Sequence, residues 1–160
     1  MNALPESFFP FEKLLARLAL AGVDFAVVGG VAVSLNGYIR ATRDTDIIVH
    51  EAPENLRRLL DCLAGWGEGW ARELSVRDFD PAEGSVRIIE DFELDVFTRM
   101  RGHALDDFRP RLRYLDIDTV RIPYLAPEDL IELKRESSRE KDKIDVAALH
   151  EIIASEKREP

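Results

Sequence analysis

The apolar residues of the 160-residue chain recur at two spacings, which predict helices and strands in alternation. Spacings of three and four residues predict helices over 10–21, over 53–63, from 127 to Lys134 and over 144–153. Continuous or alternating apolar, β-branched and aromatic residues predict strands over 23–28, 45–49, 85–89, 92–97, 112–117 and 119–125. Residues 99–110 follow neither spacing and are predicted to be irregular.

This order of elements predicts an α/β (α+β) fold, in which a mixed, twisted β-sheet is flanked by helices. At this length the chain is most simply a single domain spanning 1–160, with the helices of 127–154 packing on the sheet core. Pro123 lacks a backbone N–H, so it should confine the last strand to a sheet edge or a bulge.

A strand, a glycine turn and a short helix are predicted in succession over 25–36. The apolar run 25–28 ends at Gly29 and Gly30, as expected where a buried strand enters a tight turn. Glycine adopts positive φ without strain and leaves its N–H uncovered, and the N-terminus of a helix over 31–36 favours an anion. The turn therefore predicts a phosphate-binding site.

Two carboxylates, Asp44 and Asp46, lie two residues apart at the start of the next strand. In a strand they face the same side, with Cα atoms about 6.6 Å apart at a rise of about 3.3 Å per residue. Adjacent carboxylates raise each other's pKa unless a cation lies between them, so the pair predicts a Mg²⁺ site. The alternating strand 92–97 offers a third acid on one face, either Glu93 or Asp95. A phosphate turn beside a magnesium site is typical of phosphoryl or nucleotidyl transfer.

The spacing of glycines, arginine, threonine and aspartates over 29–46 resembles that of nucleotidyltransferases of the DNA polymerase β superfamily. The matching residues are Gly29, Gly30, Gly37 and the run Arg40-x-Thr42-x-Asp44-x-Asp46. The chain is most similar to the small bacterial abortive-infection (AbiEii-like) branch, some members of which are toxins of toxin–antitoxin pairs. That branch also places a lysine on a helix ahead of an Arg-x-Lys-Asp-x-x-Asp run, as here at Lys134 and 139–145.

The resemblance implies a minimal nucleotidyltransferase fold and Mg²⁺-dependent transfer of a nucleoside monophosphate from an NTP, such as ATP, to an acceptor nucleophile, with release of pyrophosphate. Asp44 and Asp46 would hold two Mg²⁺ ions. Asp95, which precedes two apolar residues as the family's third acid does, would complete the metal site and serve as the base. The NTP would be held by Gly29, Gly30, Ser34, Arg40, Thr42 and Lys134. The acceptor stays open between a tRNA or other RNA end, a protein hydroxyl and a small molecule, and a cognate antitoxin is an implied partner.

Other interpretations of the same residues stay open. The alternative interpretation of Arg40 is an ordinary solvated surface arginine. The alternative interpretation of the charged run 134–143 is a solvated helix face or a linker between helices. For Asp142 and Asp145, which lie three residues apart, structural ion pairs are an equal alternative. The tryptophan-bearing loop 66–70 is predicted to pack over the sheet rather than to stack on a base. A catalytically silent nucleotide-binding or toxin–antitoxin regulatory module would keep the fold without turnover, but the presence of all three acids counts against it.

Composition narrows the class of partner. The net charge of −9, from 22 basic and 31 acidic residues, argues against a broad electrostatic grip on nucleic acid. Apolar runs are far shorter than the roughly 18 residues of a membrane span, so no membrane is expected. Cys62 is the single cysteine and excludes an internal disulfide, which fits a reducing compartment and predicts a cytoplasmic protein.

Overall fold

The computed structural model describes residues 9–79 and 84–159, which contain six α-helices, three 3₁₀-helices and six strands. The 3₁₀-helices are Trp70–Glu73, Val76–Phe79 and Arg109–Arg111. The α-helices are α1 (Phe9–Leu20), α2 (Gly29–Leu35), α3 (Pro53–Ala64), α4 (Leu105–Phe108), α5 (Pro127–Lys134) and α6 (Glu140–Arg158). The strands are β1 (Phe25–Val28), β2 (Asp44–Val49), β3 (Ser85–Ile89), β4 (Glu93–Phe97), β5 (Arg113–Ile117) and β6 (Val120–Tyr124). None of the helices in these ranges is both long and apolar enough to cross a bilayer. The predicted α/β fold is confirmed.

The strands form one mixed sheet in the order β3-β4-β2-β1-β6-β5. An antiparallel hairpin lies at each edge, β3 with β4 at one and β5 with β6 at the other. β2 is antiparallel to β1 but parallel to β4, which requires a crossover connection that begins with α3. The N-terminal ends of β2 and β4 therefore lie side by side, next to the C-terminal end of β1.

The core lies on the central strands and the helices packed against them. All four residues of β1 are buried, and β2 buries Thr45 and 47–49. Pro53 lies in the first turn of α3, where a missing N–H is tolerated, and the leucines of the helix face inward. Burial of each such leucine stabilises the fold by about 1.5–3 kcal/mol. Because one face of β2 is apolar, a register slip would expose it, and this fixes where the two acids of β2 point.

Pro123 lies in β6, which is not an edge strand, so the prediction of an edge position is wrong. The pairing of β6 with β1 is limited to Val27 opposite Tyr124 and a 3.0 Å hydrogen bond from the N–H of Leu125 to the carbonyl of Val27. N–H groups two residues apart point to the same side of a strand, so the missing donor of Pro123 faces β1. The shortness of this pairing is what accommodates the proline.

Two helices begin two or more residues before their predicted starts, and a third, α4, was not predicted. α2 begins at Gly29 itself, and α6 begins at Glu140 rather than at residue 144. Glu140 and Asp142 lie in the first turn of α6, where negative charge interacts favourably with the helix dipole. α4 lies within the segment 99–110, predicted to be irregular, and is short enough to escape detection by periodicity.

The two tryptophans of the loop after α3 have different environments. Trp66 is buried, meets Phe92 edge to face with ring centroids 5.1 Å apart, and donates its Nε1–H to Asp91 at 2.9 Å. Trp70 is exposed. The predicted packing is therefore observed for Trp66 and not for Trp70.

Candidate active site

The predicted site residues meet at a cleft of about 380 Å³, where β1 ends and β2 and β4 begin. Eight of the nine line it: Gly29, Gly30, Arg40, Thr42, Asp44, Asp46, Asp95 and Lys134. The rest of the lining is mainly cationic or apolar and comprises Arg87, Phe97, Met100, Leu130, Leu133, Arg139, Lys141 and Asp142. Side chains from the sheet and from the α5–α6 pair thus share one cavity.

Ser34 is the predicted residue that does not line the cleft. It is buried on α2, one turn beyond the glycines, because that helix begins at Gly29 and carries residue 34 inward. Its Oγ accepts a hydrogen bond from the N–H of Arg40 at 3.4 Å. Ser34 therefore supports the loop before β2, and its position offers no direct route to a phosphate.

Sheet register brings the three predicted acids together. β2 and β4 run parallel, with Asp44 opposite Glu93 and Asp46 opposite Asp95. Neighbouring strands lie about 4.8 Å apart, so Asp46 and Asp95 project side by side from one face of the sheet. The same alternation leaves Glu93 beside Asp44, so both candidates for the third acid lie on this face.

Crowding of these acids shifts their protonation equilibria. Burial, with the negative charges of Asp95 and Asp44, raises the pKa of Asp46 to about 7. A hydrogen bond from the carboxyl group of Glu93, together with the charge of Arg87, lowers the pKa of Asp44, while the same bond raises the pKa of Glu93. Asp46 therefore keeps a proton up to near-neutral pH, and a cation bound among the three acids would displace that proton.

The glycine turn is required by the side chains that lie against it. Gly29 has a φ of +65°, and a Cβ at this position would overlap Oδ2 of Asp46. A Cβ at Gly30 would lie 3.0 Å from both Nη2 of Arg40 and Oγ1 of Thr42, closer than nearly all Cβ contacts. Because the two glycines lack a Cβ, the carboxylate of Asp46 can lie against the backbone of Gly29, and the guanidinium of Arg40 and the hydroxyl of Thr42 against that of Gly30.

Replacing Gly29 with alanine is expected to lower the free energy of unfolding by about 2–4 kcal/mol, because a left-handed backbone and an overlap with Asp46 both add cost. Gly22→Ala is the matched control, since its φ is +77° but its nearest neighbour, Cδ of Arg58, lies at an ordinary 3.6 Å. Backbone strain alone should cost the control about 1–2 kcal/mol. Urea unfolding measures both, and equal losses would contradict the steric role of Asp46.

Arg40 and Lys134 are paired with acids of α6. Arg40 binds Asp145 through two hydrogen bonds, Nε to Oδ1 and Nη2 to Oδ2, both at 2.8 Å. Nζ of Lys134 lies 2.7 Å from Oδ1 of Asp142 and 3.2 Å from Oδ2 of Asp145. Although burial opposes its charged form, hydrogen bonds from Lys134 and Ser137 lower the pKa of Asp142. Asp145 is fully buried and is the centre of this network.

The contacts of this network agree in part with each of the two interpretations of these residues. Asp142 and Asp145 are ion-pair partners, as the structural alternative predicts, yet the pairs form within the cleft rather than on a solvated face. Arg40 binds Asp145 and its side chain is 15% exposed, so it is not a solvated surface residue. Lys134 remains in the cleft lining, with its ammonium group oriented as a point charge by two carboxylates.

Arg87 is a cleft residue that the sequence pattern did not predict. It lies on β3 opposite Asp95 and donates Nε to Oδ1 of Asp95 at 2.9 Å and Nη2 to Oδ2 of Asp95 at 2.8 Å. The same Nη2 donates to Oδ2 of Asp44 at 3.0 Å. The predicted hairpin of 85–89 and 92–97 would pair residue 87 with residue 94, on the opposite face from Asp95. The observed register, with Ile89 opposite Glu93, instead brings Arg87 opposite Asp95.

The chemistry of the three acids fits magnesium. Asp44, Asp46 and Asp95 supply the hard oxygen ligands that Mg²⁺ prefers, and the raised pKa of Asp46 reports a cluster that a cation would stabilise. Over residues 9–79 and 84–159, no group of three Asp, Glu, His or Cys side chains has the geometry of a metal site. In the same arrangement the guanidinium of Arg87 binds two of the three acids.

Solved nucleotidyltransferase structures share this fold. A lincomycin-bound lincosamide antibiotic adenylyltransferase, LnuA, aligns with a TM-score of 0.59 and 16% identity over 95% of this chain and 99% of its own. A candidate nucleotidyltransferase from Thermotoga maritima aligns with a TM-score of 0.60 and 17% identity over 97% and 96%. An antigenic nucleotidyltransferase-like protein from Paracoccidioides brasiliensis aligns with a TM-score of 0.58 and 16% identity over 94% and 76%. At these identities the likeness establishes the fold.

Sequence comparison identifies the family. Curated proteins give no match to the chain. Residues 12–155 match the profile of a family described as a nucleotidyltransferase of unknown function, DUF6036. This match confirms the nucleotidyltransferase resemblance carried by residues 29–46. The chain therefore belongs to DUF6036, a family of nucleotidyltransferases of unknown function.

Proposed function

We propose that the protein transfers a nucleoside monophosphate from an NTP to an acceptor nucleophile in a Mg²⁺-dependent reaction that releases pyrophosphate. The observation that carries this proposal is the convergence of Asp44, Asp46 and Asp95 on one cleft that also contains the ammonium group of Lys134. Positioning and charge neutralisation supply most of the catalysis in such reactions, and acids beside an oriented cation provide both.

Each group of the cleft has a proposed role. Asp44, Asp46 and Asp95 would hold Mg²⁺, which when bound neutralises phosphate charge and makes the α-phosphorus more susceptible to attack. Lys134, oriented by the acids of α6, attracts the triphosphate as a point charge. Asp95 accepts the proton of the acceptor hydroxyl, the role that the family resemblance gives to the third acid. Gly29 and Gly30 leave the room that Asp46 and the phosphates need.

A small-molecule hydroxyl is the acceptor that we favour. The net charge of −9 disfavours a polyanionic RNA, and LnuA, which shares the fold over nearly its whole length, is a lincosamide adenylyltransferase. The Lys134 to Asp145 run, which resembles the abortive-infection branch, supports a second and narrower role as a toxin whose partner is a cognate antitoxin. That role would use the same cleft with a protein or RNA acceptor.

Thermal unfolding with each of the four NTPs, in Mg²⁺ and in EDTA, tests the nucleotide site. A ligand at a hundred times its Kd adds about 2.7 kcal/mol, which raises the midpoint by about 5–10 °C in a chain of this size. We expect such a rise for at least one NTP in Mg²⁺ and a much smaller one in EDTA or with the parent nucleoside. If no NTP raises the midpoint, the proposal fails, and the alternative that replaces it is a toxin–antitoxin regulatory module, which needs no nucleotide. Transfer from the α-labelled form of the preferred NTP then identifies the acceptor.

A further inference from the structure

Arg87 makes the contacts with Asp44 and Asp95 that a shared cation would make. Its Nη2 lies 3.0 Å from Oδ2 of Asp44 and 2.8 Å from Oδ2 of Asp95, while Nε occupies the other oxygen of Asp95. Both oxygens of Asp95 are therefore engaged by one guanidinium. By contrast, none of the ion pairs among the described residues involves Asp46.

We propose that Arg87 is a positioning residue that competes with the divalent cation for Asp44 and Asp95, so that these two acids bind metal only after Arg87 has left them. The inference rests on the proposed function, because it takes the same acids as metal ligands. It adds a residue that controls when the metal site is complete. The nucleotide-free protein should accordingly bind divalent cations weakly.

Arg87 can leave the acids without disturbing the core. It lies on β3, an edge strand whose sole neighbour in the described sheet is β4, and its side chain is 47% exposed. The side chain of Asp95 is 10% exposed, so the acid stays fixed by the sheet while the guanidinium has a solvent-facing path. A movement of one exposed side chain is sufficient for the exchange.

An NTP gives the displaced guanidinium another anion to bind. Arg87 lines the same cleft as Lys134, and guanidinium groups bind phosphate oxygens in the same two-pronged geometry as carboxylates. A metal ion arriving with a triphosphate would therefore both replace Arg87 at the acids and offer it a new partner. Metal and nucleotide should bind with positive coupling.

The competition is measured directly with Mn²⁺, by the electron paramagnetic resonance signal of the unbound ion, on full-length protein first stripped of metal with EDTA. Arg87→Gln should tighten Mn²⁺ binding in the absence of nucleotide by about tenfold or more, because it removes three charge-assisted hydrogen bonds with the two acids. Arg87→Lys, which keeps a charge but loses the fork, should give an intermediate affinity.

Two control variants distinguish competition between Arg87 and the metal from a general change in the charge of the cleft. Lys141→Gln removes the same unit charge from the cleft lining, where Lys141 acts on Asp44 at a distance without an ion pair among the described residues. Its effect should stay below about threefold, as for a screened surface charge. Arg121→Gln removes the guanidinium opposite Asp116 in the β5–β6 hairpin, the counterpart of the Arg87–Asp95 pair at the other sheet edge, and should leave Mn²⁺ affinity unchanged.

The outcomes distinguish this inference from the proposed function. Unchanged or weaker Mn²⁺ binding by folded Arg87→Gln, or an equal gain in Lys141→Gln, would overturn the inference. Circular dichroism checks that each variant is folded. If Arg87→Gln is unfolded, Arg87→Lys supplies the same comparison. The proposed function fails separately, if wild type and both Arg87 variants show no Mn²⁺-dependent binding of any of the four NTPs. A tenfold gain confined to the Arg87 variants supports the inference.

Discussion

Replacing Asp145 with asparagine is expected to lower the free energy of unfolding by about 3–5 kcal/mol. Asp145 is fully buried and binds Arg40 at 2.8 Å through both oxygens and Lys134 at 3.2 Å. An asparagine keeps the shape but presents an NH₂ group to one of these donors and carries no charge. Two cations of low exposure would then lack their shared counter-ion, and this desolvation cost is the source of the loss.

Glu156→Gln is the matched control for Asp145→Asn. Glu156 lies on the same helix and also binds an arginine, Arg113, through both oxygens at 2.8 Å, but its side chain is 43% exposed. Water can replace the lost contacts there, so we expect a loss of about 1 kcal/mol or less. Urea unfolding followed by the fluorescence of buried Trp66 measures both variants. Similar losses would show that Asp145 is not the centre of the network.

Asp46→Asn is expected to weaken Mg²⁺-dependent NTP binding by about a hundredfold or more, because it removes a charged oxygen ligand from the proposed metal site. Isothermal titration with the preferred NTP in Mg²⁺ measures this loss. Asp61→Asn, on the exposed outer side of α3, removes the same charge away from the cleft and should bind as wild type does. Retained binding by Asp46→Asn would remove Asp46 from the site.

The same variant should be more stable than wild type, and increasingly so as pH rises. The pKa of Asp46 is about 7 in the folded protein, above its ordinary value of 3.8, so the folded state binds more protons than the unfolded state between these values. Stability then falls as pH rises from about 4 to about 7, and asparagine removes this loss. In EDTA at pH 8 the gain should be about 2–4 kcal/mol, and it should vanish near pH 4. A gain independent of pH would exclude the ionisation of Asp46 as its cause.

The acids of the cleft were predictable because their arrangement follows from the period of a strand. Two-residue alternation places Asp44 with Asp46, and Glu93 with Asp95, on one face whatever the rest of the fold does. The remaining step, that the two strands are neighbours, follows from the family resemblance, and the register Asp46 opposite Asp95 agrees with it.

The ion-pair network of Arg40, Lys134, Asp142 and Asp145 was not predictable, because some of its partners are far apart in sequence and because a charged run has more than one ordinary interpretation. Arg40 and Asp145 are separated by 105 residues, and a run as charged as 134–143 is usually solvated. Only the packing of α6 behind the cleft converts that run into a buried network. For Pro123 the rule that proline lacks a backbone donor is correct, but the edge position inferred from it is wrong. Which strand pairs with β6, and over how many residues, depends on the whole sheet and not on the local sequence.

The separation of Arg40 from Asp145 also sets a delay between the synthesis of the two partners. Ribosomes add about 5–20 residues per second, so the loop with Arg40 exists for about 5–20 seconds before its partner 105 residues later is synthesised. Through that interval the glycine turn and the acids of β2 are present, but neither the lysine of α5 nor the carboxylates that orient it are complete. A nascent chain stalled before residue 145 would carry the acids of the cleft without the network that orients Lys134, so we expect the cleft to be complete only after α6 has been synthesised.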